Sequence, residues 1–260
     1  MAQYSSGDAD ISVTSLIDSP RKAALERLYA DTIEGDVAGN IFSLLGSSIH
    51  TILERSGVGL QEERLYADIN GWRVSGQFDY MDSDGVIWDW KLASVWEITN
   101  GVKIARERQL NCYAHLSAVN GVQVTGLRVG FILRDWSEMS AKTEANYPPF
   151  QVMVFPIPLW SESERQTYME ERVRIHQESR ITLPECSEED RWAKQPKYAV
   201  MKTGNARASK LHDTQFDALA DAAKRGTMYY VENRPGVSTR CVAYCSVADR
   251  CDQWQQLKKT

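Results

Sequence analysis

The spacing of apolar residues divides the chain into helical and extended stretches. Helices are predicted over residues 22–30, 41–54, 104–120, 161–179 and 214–225. The first opens after Asp18-Ser19-Pro20-Arg21, where a capping residue and an early proline favour a helix start. In the second, Gly46 and His50 lie four residues apart and therefore face the same side. A histidine one turn from a glycine can approach a site closely.

Extended stretches show apolar and polar residues in alternation. Strands are predicted over residues 65–69, 72–80, 86–91, 126–134 and 150–156. The first two flank Asn70-Gly71, a strong signal for a two-residue hairpin turn. The resulting meander places Asp79, near the end of one strand, towards Asp89 and Lys91 on the next. Strands mixed with helices predict an α/β fold with a mixed central sheet flanked by helices.

Length and composition indicate a soluble globular protein. The chain has 260 residues, of which 43% are apolar and 25% charged, so we expect one main domain over 1–180 and a C-terminal extension over 181–260 packed on it. No run approaches the roughly 18 apolar residues of a membrane span, and MAQYSSGDADIS lacks a signal-peptide pattern. We therefore expect a cytoplasmic protein without a membrane partner. A net charge of −5 argues against non-specific coating of nucleic acid but allows a local basic groove.

Asp79, Asp89 and Lys91 form the main candidate for chemistry. Two carboxylates on neighbouring strands can share a hard divalent cation. Asp89 and Lys91 emerge on the same face of a strand, because that face repeats every two residues. The alternative is a surface salt bridge between strand neighbours. Trp88 and Trp90 flank Asp89 and should half-bury the charges, which favours a functional site, since buried charges need a partner or a metal.

Four motifs stand in a fixed order along the chain: Gly46-x-x-x-His50, Gly76-x-x-Asp79, Asp89-x-Lys91 and Gln109-x-x-x-Tyr113. This order resembles the RecB-like branch of the PD-(D/E)XK nucleases, which includes phage exonucleases and CRISPR-associated adaptation nucleases. The resemblance implies a restriction-endonuclease-like core and Mg²⁺ or Mn²⁺ as cofactor. A lone histidine is more commonly a satisfied core residue, but the order of the motifs favours a ligand.

The resemblance also implies a role for each motif residue. It makes His50, Asp79 and Asp89 metal ligands, with the carbonyl of Trp90 as a further one, and Lys91 a catalytic residue. Gln109 and Tyr113 would orient the substrate or the lysine, although a tyrosine on a buried helix face is usually a core residue.

Cysteines cluster in the C-terminal tail. Cys241, Cys245 and Cys251 fall within eleven residues and Cys186 stands apart, a set that suits a zinc ion or an iron–sulfur cluster. Many RecB-like nucleases hold a [4Fe–4S] cluster with three such cysteines and one near the N-terminus. In this chain the corresponding segment, Ser19-Pro20-Arg21-Lys22, carries serine. Either Cys186 supplies the fourth ligand, which we favour, or the cluster has been lost. Cys112 should be a core residue.

A long basic run lies in the extension of this acidic chain. Its six cations are Arg191, Lys194, Lys197, Lys202, Arg207 and Lys210. Most charge runs are solvated surface, but this one is also a candidate strip that follows DNA phosphates. The resemblance to phage exonucleases adds a single-strand annealing protein or a second copy of the chain as partners, in the cytoplasm of a bacterial host.

The motifs therefore predict a metal-dependent deoxyribonuclease, an exonuclease of phage recombination or DNA processing. A structure-specific endonuclease is the alternative with the same core, because loops and assembly set the mode of cleavage. A non-cutting DNA-binding or assembly subunit is the third hypothesis. The complete set of Asp79, Asp89 and Lys91 argues against it.

Overall fold

The computed structural model describes residues 8–33, 45, 46, 48, 60, 61, 64–99 and 101–259. The chain divides into two compact units. The core unit contains Met1–Pro20 and Glu34–Thr182, and the tail unit contains Arg21–Ile33 and Leu183–Thr260. The segment 21–33 therefore belongs with the C-terminal residues, although it lies near the start of the chain. The predicted domains, a nuclease core over 1–180 and a C-terminal extension over 181–260, stay a prediction.

The described elements follow one another as short strands and helices. The strands are β1 Ile11–Ser12, β2 Leu60–Gln61, β3 Arg64–Ile69, β4 Trp72–Gln77, β5 Tyr80–Met81, β6 Val86–Ala93, β7 Gly126–Leu133, β8 Val152–Ile157, β9 Ala193–Lys194, β10 Lys197–Lys202, β11 Lys210–His212, β12 Tyr229–Arg234 and β13 Val237–Ser238. The helices are α1 Val13–Leu16, α2 Pro20–Leu28, α3 Val95–Thr99, α4 Ile104–Val119, α5 Glu138–Thr143, α6 Glu162–Glu178, α7 Gln215–Arg225, α8 Thr239–Ala243 and α9 Asp252–Leu257. Short 3-10 helices cover Ala30–Thr32 and Ala248–Arg250.

The core unit contains two sheets. In the first, β4 lies between β1, which is parallel to it, and β3, which is antiparallel. The second has the order β2-β5-β6-β7-β8, in which β6 and β7 are parallel and the other neighbours antiparallel. Helix α4 packs against β3 and β4 of one sheet and β6 and β7 of the other. The predicted fold class, a mixed sheet with flanking helices, is confirmed.

The predicted hairpin is also confirmed. Ile69 and Trp72 are the last paired residues before the turn, and Asn70 and Gly71 adopt φ angles of 48° and 77°. Both positions of such a tight turn need positive φ, which asparagine and glycine adopt at little cost. The turn residues alone therefore set the register of β3 on β4.

The predicted helices are confirmed wherever the structure describes their residues. Helix α6 begins after Ser161, whose side chain forms a reciprocal capping box with Glu164. Helices α4 and α7 match the predicted stretches closely. The predicted helix over 41–54, including His50, lies outside the described residues, except that Leu45, Gly46 and Ser48 are helical. In the described part of the chain, no helix is both long and apolar enough to cross a membrane.

A close approach between α4 and β4 holds the core unit together. A Cβ atom added to Gly76 would lie 2.6 Å from Cδ1 of Leu116 and 3.0 Å from both Cδ1 of Tyr113 and Cγ2 of Val13. Such distances are below normal contact, so only glycine fits between the strand and the helix. The motif Gly76-x-x-Asp79 thus brings α4, with Gln109 and Tyr113, against the strand that leads to Asp79.

The tail unit has its own small cores. Strands β11, β10 and β12 form an antiparallel sheet, and α7 packs on one face of it through Val200, Ala218 and Ala222. Strands β9 and β13 form a separate ladder. In a second cluster, Leu25 of α2 packs with Val247 and Cys251.

Candidate active site

Asp89 lies in the middle of β6, which pairs with β5 on one side and β7 on the other. Its side chain is only 2% exposed. The Nζ atom of Lys91 donates a hydrogen bond of 2.8 Å to Oδ1 of Asp89, and the lysine itself is 19% exposed. The two side chains share a face of the strand, as their spacing predicts. An ion pair this deeply buried differs from the surface salt bridge that was the alternative.

Asp79 joins this pair from the short gap between β4 and β5. Strand β5 pairs with Ile87 and Trp88 of β6 and goes no further. Beyond its end, the backbone N–H of Trp90 donates a hydrogen bond of 2.6 Å to Oδ2 of Asp79. The carboxylate of Asp79 thus accepts the hydrogen bond that a backbone carbonyl of a neighbouring strand would otherwise accept from Trp90. All three charged residues predicted to meet are therefore neighbours.

Burial raises the pKa of Asp89 above its ordinary value, and the nearby negative charge of Asp79 raises it further. The positive charges of Lys91 and Arg106 oppose this increase. Oδ2 of Asp89 is buried and has no hydrogen-bond partner among the described residues. An acceptor of this kind is costly unless something binds it. Two adjacent carboxylates with one unsatisfied oxygen fit a hard divalent cation, which prefers oxygen ligands.

Within the described residues, no three His, Cys, Asp or Glu side chains are arranged to hold a metal ion. Two of the three predicted side-chain ligands, Asp79 and Asp89, lie together. The third, His50, lies outside the described residues. The carbonyl of Trp90 as a ligand stays a prediction.

Arg106 is a second cation near Asp89 that the sequence analysis did not select. Its Nη2 atom donates to Oε1 of Glu97 at 3.0 Å, while its Nε atom is buried without a partner in the described part of the chain. Burial alone would raise the pKa of Glu97, but the charges of Arg106 and Lys103 lower it. The available signal was spacing, since Arg106 lies three residues before Gln109 and thus on a similar helix face.

Gln109 and Tyr113 are buried next to each other on α4. Nε2 of Gln109 donates a hydrogen bond of 2.8 Å to the hydroxyl oxygen of Tyr113. Tyr113 also lies against Gly76, so the second and fourth motifs are in contact. Their roles in orienting substrate or lysine stay a prediction.

The tryptophans beside Asp89 lie on the other face of β6. The rings of Trp88 and Trp90 stack with centroids 6.0 Å apart, and Arg128 lies 5.0 Å from the centroid of Trp88. A Cβ atom on Gly130 would come within 2.5 Å of the Trp90 ring, so this glycine makes room for it. The expectation that these tryptophans half-bury the charged side chains is therefore wrong, because alternate residues of a strand point to opposite faces.

In the tail unit, the four predicted ligand cysteines line one small cavity of about 20 Å³: Cys186, Cys241, Cys245 and Cys251. All are free thiols. The side chain of Gln253 accepts from the N–H of Cys186 and donates to its carbonyl, which fixes this residue at the cavity. No three of the thiols converge as a preformed metal site among the described residues.

Arg21 and Lys22, at the start of the tail unit, also line this cavity. Arg21 is 4% exposed, and its Nε atom donates to Sγ of Cys251 at 3.3 Å. The same guanidinium donates to the carbonyl of Pro184 and pairs with Asp252. Burial raises the pKa of Cys241, and the charges of Cys245 and Cys251 raise it further, so the tail thiols lie within electrostatic range of one another.

Cys112 is separate from this group. It is buried in the core unit, as predicted, and burial raises the pKa of its thiol to about 12. A thiol of this kind is inert.

No protein-family profile matches the chain, and no curated protein matches it in sequence. Solved structures that match include the protein SSO0001, with 15% identity and a TM-score of 0.45 over 66% of this chain and 79% of that chain. A phage related exonuclease from Haemophilus somnus 129PT has 15% identity and a TM-score of 0.42, over 66% and 94% of the two chains. The alkaline exonuclease LHK-Exo from Laribacter hongkongensis has 11% identity and a TM-score of 0.43, over 66% and 90%.

Proposed function

We propose that this protein is a deoxyribonuclease that uses Mg²⁺ or Mn²⁺ to hydrolyse DNA phosphodiesters. The observation that carries the proposal is the buried carboxylate of Asp89, which has Lys91 on one oxygen and, among the described residues, no partner on the other. Asp79 lies beside it and adds a second carboxylate. A buried arrangement with one unsatisfied oxygen is expensive for a purely structural ion pair.

Asp79 and Asp89 would hold the cation. The resemblance to RecB-like nucleases adds His50 and the carbonyl of Trp90 as ligands. The bound cation would polarise the phosphate and lower the pKa of the attacking water. Lys91 keeps an ammonium group at the carboxylates, where it can donate to a phosphate oxygen and stabilise the negative charge of the transition state. Arg106 adds positive charge to the same region, while its pairing with Glu97 holds the guanidinium in place.

DNA cleavage can be tested directly on two substrates. The protein would be incubated with end-labelled linear DNA and with closed circular DNA, each with Mg²⁺, with Mn²⁺ or with a chelator. We expect the metal-containing reactions to degrade linear DNA and leave circles intact, as an exonuclease does. Nicked circles would indicate the endonuclease alternative. Intact DNA in every reaction would contradict the proposal and favour a non-cutting binding subunit.

Lys91→Ala is the critical variant. Loss of one donor to the transition state typically costs about 100-fold or more in rate, so we expect cleavage to fall at least that far. Lys142→Ala is the matched control, because Lys142 is 69% exposed and pairs with Glu138 one helical turn away. A Lys91→Ala protein that is folded and fully active would remove the lysine from the mechanism.

We also propose that the cysteine cavity of the tail unit holds a [4Fe–4S] cluster or a zinc ion with a structural role. Four thiols in one cavity are a soft donor set, which suits either group. The guanidinium of Arg21 at Cys251 would offset part of the thiolate charge. Iron and zinc analysis of protein purified without oxygen, with a visible spectrum, distinguishes the two groups. Metal-free protein of full stability would contradict this proposal.

The biological setting follows from the resemblance alone. On the basis of the motifs, the proposal includes a role in phage recombination or DNA processing. It also includes two partners, a single-strand annealing protein and a second copy of the chain. Sizing the protein in solution, alone and with a linear duplex, would test self-association. A strict monomer in both samples would contradict it.

A further inference from the structure

The tail unit carries an open groove lined by five basic side chains. Two adjoining cavities, of about 480 and 460 Å³, share the side chains of Leu211 and Arg234. The cations around them are Lys194, Lys197, Arg207, Lys210 and Arg234, and none of the described residues that line either cavity is acidic. We call this surface the basic groove. It concentrates positive charge on a chain whose net charge is −5.

Strand pairing explains how the groove forms. Lys197 at the start of β10 lies opposite Arg234 at the end of β12, so two cations that are 37 positions apart in sequence share one edge of the sheet. The short strand β11 brings Lys210 and Leu211 alongside β10. The loop before it carries Arg207. Arg234 is not part of the basic run in the sequence. The pairing of β12 with β10 brings it to the groove.

The structure also divides the basic run that the sequence singled out. Lys202 is exposed on the same strand as Lys197 but does not line the groove. The guanidinium of Arg191 donates to Oγ of Ser238 at 2.8 Å and to the carbonyl of Cys186, so it supports the fold of the tail. Four members of the run therefore belong to the groove, and two do not.

Several of the groove cations are available to a ligand. Lys197 pairs with Asp213 and Arg234 with Glu232. Lys194 and Arg207 have no ion-pair partner among the described residues. Exposed ion pairs are weak, so a polyanion can compete for Lys197 and Arg234 as well.

Apart from Gln195, the side chains that separate the cations are small or aliphatic, and none of the described residues lining the groove is aromatic. Sites for single-stranded nucleic acid stack bases on aromatic rings, which this groove lacks. A duplex keeps its bases inside and presents one charge for about every 1.7 Å of its axis. We infer that the basic groove binds the phosphate backbone of duplex DNA without reading its sequence. The inference rests on the proposed function, which makes DNA the substrate.

Binding can be measured separately from cleavage. The full chain carrying Lys91→Ala would be titrated, in a chelator, against a fluorescent duplex of mixed sequence and against the single strand of the same length. Anisotropy would be recorded over a series of salt concentrations. The duplex should bind more tightly than the single strand, and a second duplex of unrelated sequence should bind equally well.

The groove variant is Arg207→Ala/Lys210→Ala, made in the same background. Each phosphate contact contributes about 0.9 to the slope of log K against log salt, so we expect the slope to fall by nearly two and the duplex affinity by roughly tenfold near 0.1 M salt. The matched control is Lys202→Ala/Lys224→Ala, which removes two exposed cations of the tail unit outside the groove. It should leave affinity and slope unchanged.

A second groove variant guards against a folding defect. Lys194→Gln alters one exposed side chain on the opposite side of the groove and should reduce the slope by about one. Tighter binding of the single strand, equal losses in the groove and control variants, or unchanged binding in both groove variants would overturn the inference.

The outcome is distinguishable from failure of the proposed function. With Lys91 intact, the groove variant should still cleave at saturating DNA concentration and lose affinity only. Cleavage with unchanged binding in the groove variants would overturn the groove and leave the nuclease. Groove-dependent binding by a protein that never cleaves with either metal would overturn the nuclease and leave the groove.

Discussion

Asp79 accepts a hydrogen bond from the backbone N–H of Trp90, and this bond of 2.6 Å joins the end of one sheet to the middle strand of the other. Asp79 follows β4, whereas Trp90 lies between Asp89 and Lys91 on β6. The bond therefore sets the first carboxylate of the site beside the second. It orients the carboxylate of Asp79 at the candidate metal site.

Metal binding should be visible as stabilisation. We expect Mg²⁺ or Mn²⁺ to raise the melting temperature of the protein by a few degrees, because a ligand that binds only the folded state stabilises it. Asp89→Asn should lose most of this increase, since the amide removes the charge and one ligand oxygen. Calorimetry or a thermal-shift assay measures the effect. An equal increase in the native protein and in Asp89→Asn would place the ion elsewhere.

Asp89→Asn should also fold well without metal. Burial of the Asp89 charge is unfavourable, as its raised pKa shows, and the neutral amide avoids this cost. We expect the variant to be as stable as the native protein in a chelator, or more so, although Lys91 loses its partner. Urea unfolding in a chelator measures the difference. Strong destabilisation would indicate that the ion pair has a structural role.

Gly76→Ala should destabilise the core unit. The added methyl group would lie 2.6 Å from Leu116 and 3.0 Å from Tyr113, and all of these side chains are buried. Overpacking of this kind typically costs about 1–3 kcal/mol of unfolding free energy. The control is Gly126→Ala, where the nearest atom is 3.4 Å away, an ordinary contact. If both variants unfold at the same denaturant concentration, the approach between α4 and β4 is less tight than described.

His176 should make the protein less stable in acid. Burial and the charge of Arg172 together lower its pKa to about 4, and its Nε2 atom lies 3.0 Å from the carbonyl of Leu16. The ordinary pKa is 6.5. Between these values the unfolded chain binds a proton that the folded protein does not, so stability falls as the pH drops from 6.5 to 4. The loss attributable to His176 should reach roughly 2–3 kcal/mol.

A difference experiment isolates this effect. The unfolding free energies of the native protein and of His176→Gln would be measured from pH 7 to pH 4. Because glutamine does not titrate, the difference between the two proteins should shift in favour of the variant as the pH falls. A constant difference over this range would contradict a buried neutral histidine.

Loss of a cysteine from the tail cavity should lower the metal content of the protein. Cys186→Ser should lower the iron or zinc content of protein purified without oxygen and should make the tail unit easier to proteolyse, since a ligand is lost. Cys112→Ala is the matched control, because this thiol is buried in the core unit and is not among the residues that line the cavity. Equal metal content in the native protein and in Cys186→Ser would remove Cys186 from the ligand set.

The sequence by itself was sufficient for features that depend on neighbours along the chain. Asn70-Gly71 predicts the hairpin because a tight turn needs residues that accept positive φ. Asp89 and Lys91 share a face because the period of a strand is two. The helix predicted from residue 161 is also a local feature, since the capping box at its start lies within four residues. These interactions are short-range, so local preferences determine them before the chain is packed.

Other features depended on which distant segments pack together. No local pattern brings Asp79 to the N–H of Trp90 or leaves Oδ2 of Asp89 without a partner among the described residues. Likewise, only strand pairing in the tail unit sets Arg234 beside Lys197. Burial and electrostatic neighbours are properties of the packed molecule, because they depend on the atoms that exclude water from each group. The sequence alone therefore identified the chemical groups, and the tertiary structure decided which of them meet and how strongly each is desolvated.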